Sequence, residues 1–571
     1  MGRIFDRFTK RSIKCLDGAW AMRVDSGNVG ITDKWYDTPL TADTRQTAVP
    51  SVWAAHKDLF TYEGAVWYEK KFYFDGGCLF LSFGAVMTEA DVWLDGNYLG
   101  NHYGGFCEFD FKVDDISEGY HRVTVRVDNH FDAYSIPQTH VDWYHHGGII
   151  RSVYAHKLSG VAVISNKFNY SLTDDLTGAD CSFEVELYNA NINTAETTLT
   201  VKIGDTVHSE QVALDGRSYK TVSVTGIRLN NVKLWDIGEG NLYGISVSTD
   251  DDALYDRVGF RKIEVKDKKI YLNNREIEIM GVNRHEEHPE LGFAFPQSLM
   301  DRDLTLITEM GCNFVRGSHY PNSHEFVDML DERGIMFWSE IPIWGCGFSE
   351  QALAEPKVVD RGLEMHREML KYYYNHPSIV MWGMHNEILA NTKAGYDMSK
   401  LYYEFLKANG GNRLVVYASH IPSSDISLEF TDVICLNQYL GWYIGDLSSW
   451  QGMLDRFSAR LCELGLGDKP IIMSEFGAAA IYGCHDNDDF LWTEEYQAKL
   501  IEHCLNLFHS YPGVEGSLIW QFADARTSKE AGISRARRFN NKGLINEYRK
   551  PKLAYFAAQR CFKKYAEEKS K

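Results

Sequence analysis

Past about residue 263 the chain repeats one pattern, a short apolar run followed by an amphipathic stretch, and this repetition limits the fold more than any other feature. Asn313 to Arg316 and Ile335 to Trp338 read as strands, brief apolar runs bounded by turn formers. The spacing between such runs predicts helices. Leu304 and Ile307 share one face, with Ser298 as candidate cap, Asp301 three residues on and Gly311 as the stop. Asn322 and Glu325 repeat the signal, Phe326, Met329 and Leu330 supply the apolar face, and Gly334 ends it. The helix carrying Leu363, Leu370 and Tyr373 ends at Asn375-His376-Pro377, since proline cannot continue it. Repeated βα units over 263–571 predict a closed (β/α)8 TIM barrel. An open doubly wound sheet shares the periodicity, but no Gly-x-Gly-x-x-Gly turn opens the first unit.

The residues before 263 follow a different period. Val123, Val125 and Val127 alternate, and Ala90 to Leu94 turns at Asp95-Gly96, which marks antiparallel hairpins with one face buried. Phe183, Val185, Leu187 and then Leu199, Val201, Ile203 continue in that style, so two β-sandwiches in series are expected, over 1–160 and 161–262. Three domains suit a chain of 571 residues at roughly 150 residues per domain.

The formal net charge of −20 argues against nucleic acid or an anionic membrane as partner. No apolar run approaches the roughly 18 residues of a membrane span, and the first residues lack the apolar core of a secretion signal. Eleven cysteines are scattered without a Cys-x-x-Cys pair, so a reduced cytoplasmic protein is expected, with no metal or organic cofactor, assembling as a homo-oligomer.

Two glutamates carry the chemistry. Glu387 follows the run Ile379 to Met384, and Glu475 follows Pro470 to Met473, so each carboxylic acid lies just beyond a strand, where barrels assemble their sites. They are 88 positions apart, about three βα units, which lets them face each other across the barrel mouth. Opposed carboxylates raise one another's proton affinity, so one stays protonated while the other remains an anion. That is the minimal equipment for cleaving a glycosidic bond.

The stretches Gly281-Val-Asn-Arg-His-Glu286, Arg316-Gly-Ser-His319-Tyr-Pro, His376 through Glu387 and Lys469-Pro-Ile-Ile-Met-Ser-Glu475-Phe-Gly resemble glycoside hydrolase family 2 over nearly the whole chain. The resemblance implies a jelly-roll-like, sugar-binding sandwich, an immunoglobulin-like sandwich and a catalytic barrel, in that order. It makes Glu387 the acid/base and Glu475 the nucleophile of a retaining mechanism, with carboxyl groups about 5 to 5.5 Å apart. It gives Asn386 the sugar 2-hydroxyl and Asp142 another hydroxyl, and it lines the pocket with His319, Tyr439, Tyr443 and Trp520.

The segment Arg537-Arg538-Phe-Asn540-Asn-Lys542-Gly resembles the Asn-x-Lys signature with which β-glucuronidases of that family hold the sugar's C6 carboxylate. The implied activity is an exo-hydrolase of β-D-glucuronides, acting on a small-molecule or oligosaccharide β-uronide. The alternatives are a β-galacturonidase with the same clamp, a β-galactosidase, and a non-catalytic carbohydrate-binding protein. Three departures from the glucuronidase pattern stand out. His285-Glu286-Glu287-His288 looks like the galactosidase stretch, where acids and histidines serve a metal site. The loop before Asn540 is one residue longer, leaving Arg535 and Arg537 as rival pocket arginines. The link from Trp344 through Glu355 is short, which implies an open entrance.

Overall fold

The computed structural model describes residues 2–345, 347–532 and 535–569. The first layer is an eight-stranded sheet built around two long antiparallel strands, Ala65–Phe83 and Phe109–Asp128. Strand Glu89–Leu94 turns at Asp95-Gly96 into Asn97–Tyr103, both turn residues having positive φ (51° and 86°), the conformation a two-residue hairpin demands. The alternating valines Val123, Val125 and Val127 point into the buried core of this sheet with Val66, Leu79 and Leu81.

Two further sheets follow. Strands Val161–Leu172, Gly178–Asn189 and Tyr219–Asn230 form one, and Ala195–Ile203, Thr206–Leu214, Tyr243–Ser248 and Ala253–Val258 form the other. Their inward residues, among them Phe183, Val185, Leu199 and Val201, share one core, as the period-two spacing requires.

Eight parallel strands close the barrel: β1 Ile279–Arg284, β2 Phe314–Gly317, β3 Met336–Glu340, β4 Ile379–Asn386, β5 Leu414–Ser419, β6 Ile434–Asn437, β7 Ile471–Phe476 and β8 Val514–Ile519. Strand β8 pairs with β1 and completes the ring. Helices α1 Gln297–Met310, α2 His324–Arg333, α3 Pro356–Tyr373, α4 Lys393–Asn409, α5 Ser449–Glu463, α6 Glu494–Ser510 and α7 Leu553–Lys569 surround it. Buried on both faces, the strands read as continuous apolar runs rather than alternating ones. A small sheet, Ile263–Lys266, Lys269–Leu272 and Arg275–Ile277, shares a core with Phe314, Met336 and Trp338 inside the barrel.

Helix ends match the sequence at their stops and differ at their starts. Gly311 and Gly334 adopt left-handed φ (93° and 64°) and end α1 and α2. Ser298 does not cap α1; Pro296 precedes the helix and no side chain caps it. Asn322 is not the cap of α2 either, because its carbonyl oxygen accepts from buried Arg284 at 3.0 Å, and Ser323 at the cap position donates its hydroxyl to Glu286.

Candidate active site

Five of the barrel strands, β2, β3, β4, β6 and β7, deliver a residue at or next to their C-terminal end to one pocket floor. Asn386 ends β4, and Glu387 follows with φ 54°, a left-handed conformation that costs a residue with a side chain about 1 to 3 kcal/mol. Backbone bonds hold it there: Asn386 N–H to Ile343 O (2.9 Å), Gly345 N–H to Asn386 O (2.8 Å) and Glu387 N–H to Ala418 O (2.9 Å). Glu475 lies in β7, three strands further round the ring, and both acids line a pocket of about 330 Å³ with Asp142, Tyr439, Tyr443 and Trp520. A larger groove of about 820 Å³ between α6 and α7 contains neither acid.

Arg316, at the end of β2, organises the floor. Its Nη1 donates to Glu475 Oε1 at 2.8 Å, its Nη2 to Asn386 Oδ1 at 2.7 Å, and its Nε and Nη2 grip both oxygens of Glu340 at the end of β3 (3.1 and 2.9 Å). Tyr439 donates its hydroxyl to the other Glu475 oxygen at 2.7 Å. Glu387 receives an amide instead, Asn437 Nδ2 at 2.8 Å. Since Asn386 Oδ1 accepts from both Arg316 and Asn437, its Nδ2 faces the other way, and that atom is buried without a partner among the described residues. His319 gives Nδ1 to Glu340 at 2.6 Å and stacks on Trp520 at 5.0 Å.

Burial raises both acids. Burial and then the charge of Glu387 push Glu475 up to about 8, against the pull of Arg316 and Tyr439. Burial, and more weakly Asp142, raise Glu387. Each negative charge penalises the other, so the pair holds one shared proton near neutrality. Both acids are raised, yet the hydrogen bonds place the negative charge on Glu475. A guanidinium at 2.8 Å stabilises an anion more than the neutral amide on Glu387 does, and we assign the proton to Glu387 on that geometry.

The opposite wall comes from outside the strands. Lys542 is only 1% exposed, and its Nζ donates to the Tyr443 hydroxyl at 2.7 Å within 6 Å of three ring centres: Tyr443 (4.7 Å), Tyr439 (5.4 Å) and Trp442 (5.9 Å). No carboxylate of the described residues forms a salt bridge with it, and burial lowers its pKa. Arg535 donates to both oxygens of Asp142 at 2.8 Å and to Tyr443 at 3.1 Å, while Asn540 Nδ2 reaches Asp142 at 3.1 Å. Burial works against ionisation of Asp142, but Arg535 and Lys542 outweigh it and hold the carboxyl below its ordinary range. Asp142 lies on a segment of the first sandwich, so two domains meet at this wall.

Glu387, Glu475, Asp142, Tyr439, Tyr443, Trp520 and Arg535 thus line the pocket directly. Asn386, His319, Asn540 and Lys542 stand one contact behind it. Of the rival arginines, Arg535 faces the pocket and Arg537 turns away to Glu547 (2.8 Å). Arg316, Glu340, Asn437, His420 and Trp344 join the site without a role visible in the sequence. Arg316 had a signal, a charged residue closing a buried apolar run, like the two glutamates.

In the stretch resembling a metal site, Glu286 accepts from Arg151 (3.1 Å) and from Ser323, and Glu287 faces His146 (3.5 Å). Among the described residues Asp328, Asp331 and His376 are close enough together to hold a cation, but Arg3 already donates to both oxygens of Asp328 through Nε and Nη2 and lies 3.0 Å from Asp256.

Paired carboxylic acids at the C-terminal mouth of a (β/α)8 barrel, faced by sugar-sized polar and aromatic walls, define a glycoside hydrolase. Models of glycosyl hydrolases family 2 match along the chain: its sugar binding domain at 13–159, the family 2 domain at 161–261 and its TIM barrel domain at 263–566. The chain belongs to glycoside hydrolase family 2. It is 27% identical to a β-glucuronidase of Paenibacillus borealis, over 95% of this chain and 96% of that one. Its fold matches a family 2 β-galacturonidase from Eisenbergiella tayi bound to galacturonate, with TM-score 0.92, 32% identity and 99% of each chain covered. It also matches a Ruminococcus gnavus β-glucuronidase in complex with D-glucuronic acid, with TM-score 0.85, 25% identity, and 98% of this chain and 99% of that one covered. Among the described residues no helix is long and apolar enough to cross a membrane.

Proposed function

We propose that this glycosidase is a retaining exo-hydrolase of β-D-glucuronides. One observation carries the reading: Lys542 is a buried ammonium caged by aromatic rings, with a hydroxyl but no carboxylate of the described residues in salt-bridge range. A buried charge without a counter-charge is expensive, and a sugar carboxylate reaching Lys542, Asn540 and Tyr443 would supply it. Glu387 then protonates the departing oxygen, and Glu475, held by Arg316 and Tyr439, attacks the anomeric carbon. The orphan Asn386 Nδ2 suits the 2-hydroxyl. The covalent glycosyl-enzyme is hydrolysed with Glu387 acting as base.

A second reading is favoured by one comparison. The galacturonate-bound relative is more similar than the glucuronidase structure in both identity and TM-score, so an axial C4 hydroxyl is the strongest competitor. The Asp142–Arg535 pair beside the clamp is the group we assign to that choice. We retain the expectation of a cytoplasmic homo-oligomer, the assembly to be checked by light scattering. The deciding experiment compares aryl β-glucuronide, β-galacturonide and β-galactoside on the parent and on Lys542→Ala. The parent is expected to cleave a uronide at least tenfold faster than the galactoside. Equal turnover of all three would remove the uronide reading.

A further inference from the structure

A second lysine and an acid are buried as a pair behind Lys542. Asp524 and Lys552 are 1% and 0% exposed, and neither lines the pocket. Lys552 Nζ donates to Asp524 Oδ1 at 2.8 Å, to the carbonyl of Asn541 at 3.0 Å and to that of Ala480 at 2.7 Å. The same Asp524 oxygen accepts the N–H of Gly543 at 2.9 Å. The pair therefore grips the chain on both sides of Lys542, at residues 541 and 543. The approach is close enough that a Cβ on Gly543 would lie 2.2 Å from Asp524 N. Gln497 completes the grip, donating Nε2 to the carbonyls of Lys542 (3.2 Å) and Gly543 (3.1 Å).

A buried ion pair is weak evidence for stability, because desolvating two charges cancels much of their attraction. What a hydrophobic pair could not supply is direction. Each member here spends a bond on the backbone flanking one residue, and that residue carries the ammonium on which carboxylate recognition depends. Hydrogen bonds to a charge weaken steeply with misplacement, so a loose 541–543 segment would cost recognition before it cost folding.

We propose that Asp524 and Lys552 are positioning residues for carboxylate recognition, fixing the chain around Lys542 so that its ammonium meets the sugar's C6 carboxylate. The proposal rests on the uronide reading. The test uses the full-length enzyme, an aryl uronide as substrate, and two competitive inhibitors, free glucuronic acid and xylose, which has the same ring configuration but no C6 group. Asp524→Asn is expected to raise Ki for glucuronic acid about tenfold and leave Ki for xylose within about twofold, with the loss in kcat/KM carried by KM. On a Lys542→Ala background the same change is expected to alter Ki for glucuronic acid by less than about twofold, since the residue acts through Lys542.

Lys552→Gln, which cuts the Asn541 side, is expected to behave alike. If either single variant fails to fold, Asp524→Asn with Lys552→Gln removes both charges together and carries the same comparison. Equal weakening of both inhibitors, or losses that multiply with Lys542→Ala, would overturn the proposal. A parent enzyme that binds glucuronic acid no better than xylose would instead defeat the uronide reading itself.

Discussion

The floor and the wall of the pocket are built differently. On the floor, Arg316, Glu340, Asn386, Asn437 and Glu475 all sit at the ends of barrel strands that are hydrogen-bonded to their neighbours around the ring. The wall gathers Lys542, Asn540 and Arg535 from the segment after β8, Tyr443 from the loop after β6 and Asp142 from another domain. Groups that break bonds are fixed by the rigid element, and groups that choose the sugar are held by side-chain bonds between loops. A family can therefore vary its wall while its floor stays intact.

The floor should show the largest effects. Glu475→Gln is expected to lower kcat by about 10^3-fold or more with every leaving group. Glu387→Gln should lower it by roughly 10^2 to 10^4-fold with an alkyl aglycone but far less with nitrophenolate, which departs without a proton. Steady-state rates on the two substrate types check this, and equal losses in both variants would erase the division of roles.

The same contrast explains what the sequence disclosed. Apolar runs and glycine stops made the barrel legible, because a buried parallel strand and a left-handed helix end each have a local signature. Glu387 and Glu475 were legible as acids beyond such runs. Ser298 and Asn322 misled as caps because a cap depends on what else competes for the side chain, and Arg284 claims Asn322. Arg535 and Arg537 were indistinguishable by spacing; Glu547 and Asp142, distant in sequence, draw them to opposite sides. Arg316 and Glu340 each close an apolar run as the two glutamates do, but nothing local shows that they pair with each other and with Glu475 across the ring.

The wall should yield smaller, selective effects. Lys542→Ala is expected to cut kcat/KM for the uronide by about 10- to 150-fold, the loss of one charge-assisted bond of about 1.5 to 3 kcal/mol, while the trace rate on a galactoside stays level or rises. Asp142→Asn should change the ratio of glucuronide to galacturonide cleavage more than their sum, since it frees Arg535 beside the ring without removing Lys542. A variant that slowed both uronides in proportion would place Asp142 outside the choice at C4.

The pH profile separates the regions next. Activity needs one proton on the Glu387–Glu475 pair, so kcat/KM should be bell-shaped, falling on the alkaline side at the pH where the pair, both of whose members burial raises, gives up that proton. With an activated aryl uronide, Glu387→Gln should keep its activity above that pH, because Glu475 then ionises without a charged neighbour. Persistence of the alkaline limb in that variant would assign it to another group.

The smallest expected effect concerns stability and runs opposite to activity. The Glu387–Glu475 pair binds its shared proton more tightly in the folded protein than in the unfolded chain, where each acid has an ordinary value near 4.5; burial raises both, Glu475 up to about 8. Between those values the native state holds the extra proton, so its stability is fully present below about pH 4.5 and is lost as pH rises through about 8. Glu475→Gln removes the second buried charge and should raise the barrel's melting temperature relative to the parent by about 1 to 3 °C at pH 8.5, with little or no gain at pH 4.5. Arg316 keeps Glu340 as its counter-charge at pH 8.5, above the value of about 7 to which burial raises Glu340, so no cation is stranded on the floor there. Lys542→Ala also removes a buried charge, but one whose pKa burial lowers, so any change with pH should run the other way, its effect being greatest at pH 4.5. Calorimetry of both variants at the two pH values distinguishes floor from wall, and a pH-independent gain for Glu475→Gln would mean that the two acids do not repel each other in the folded protein.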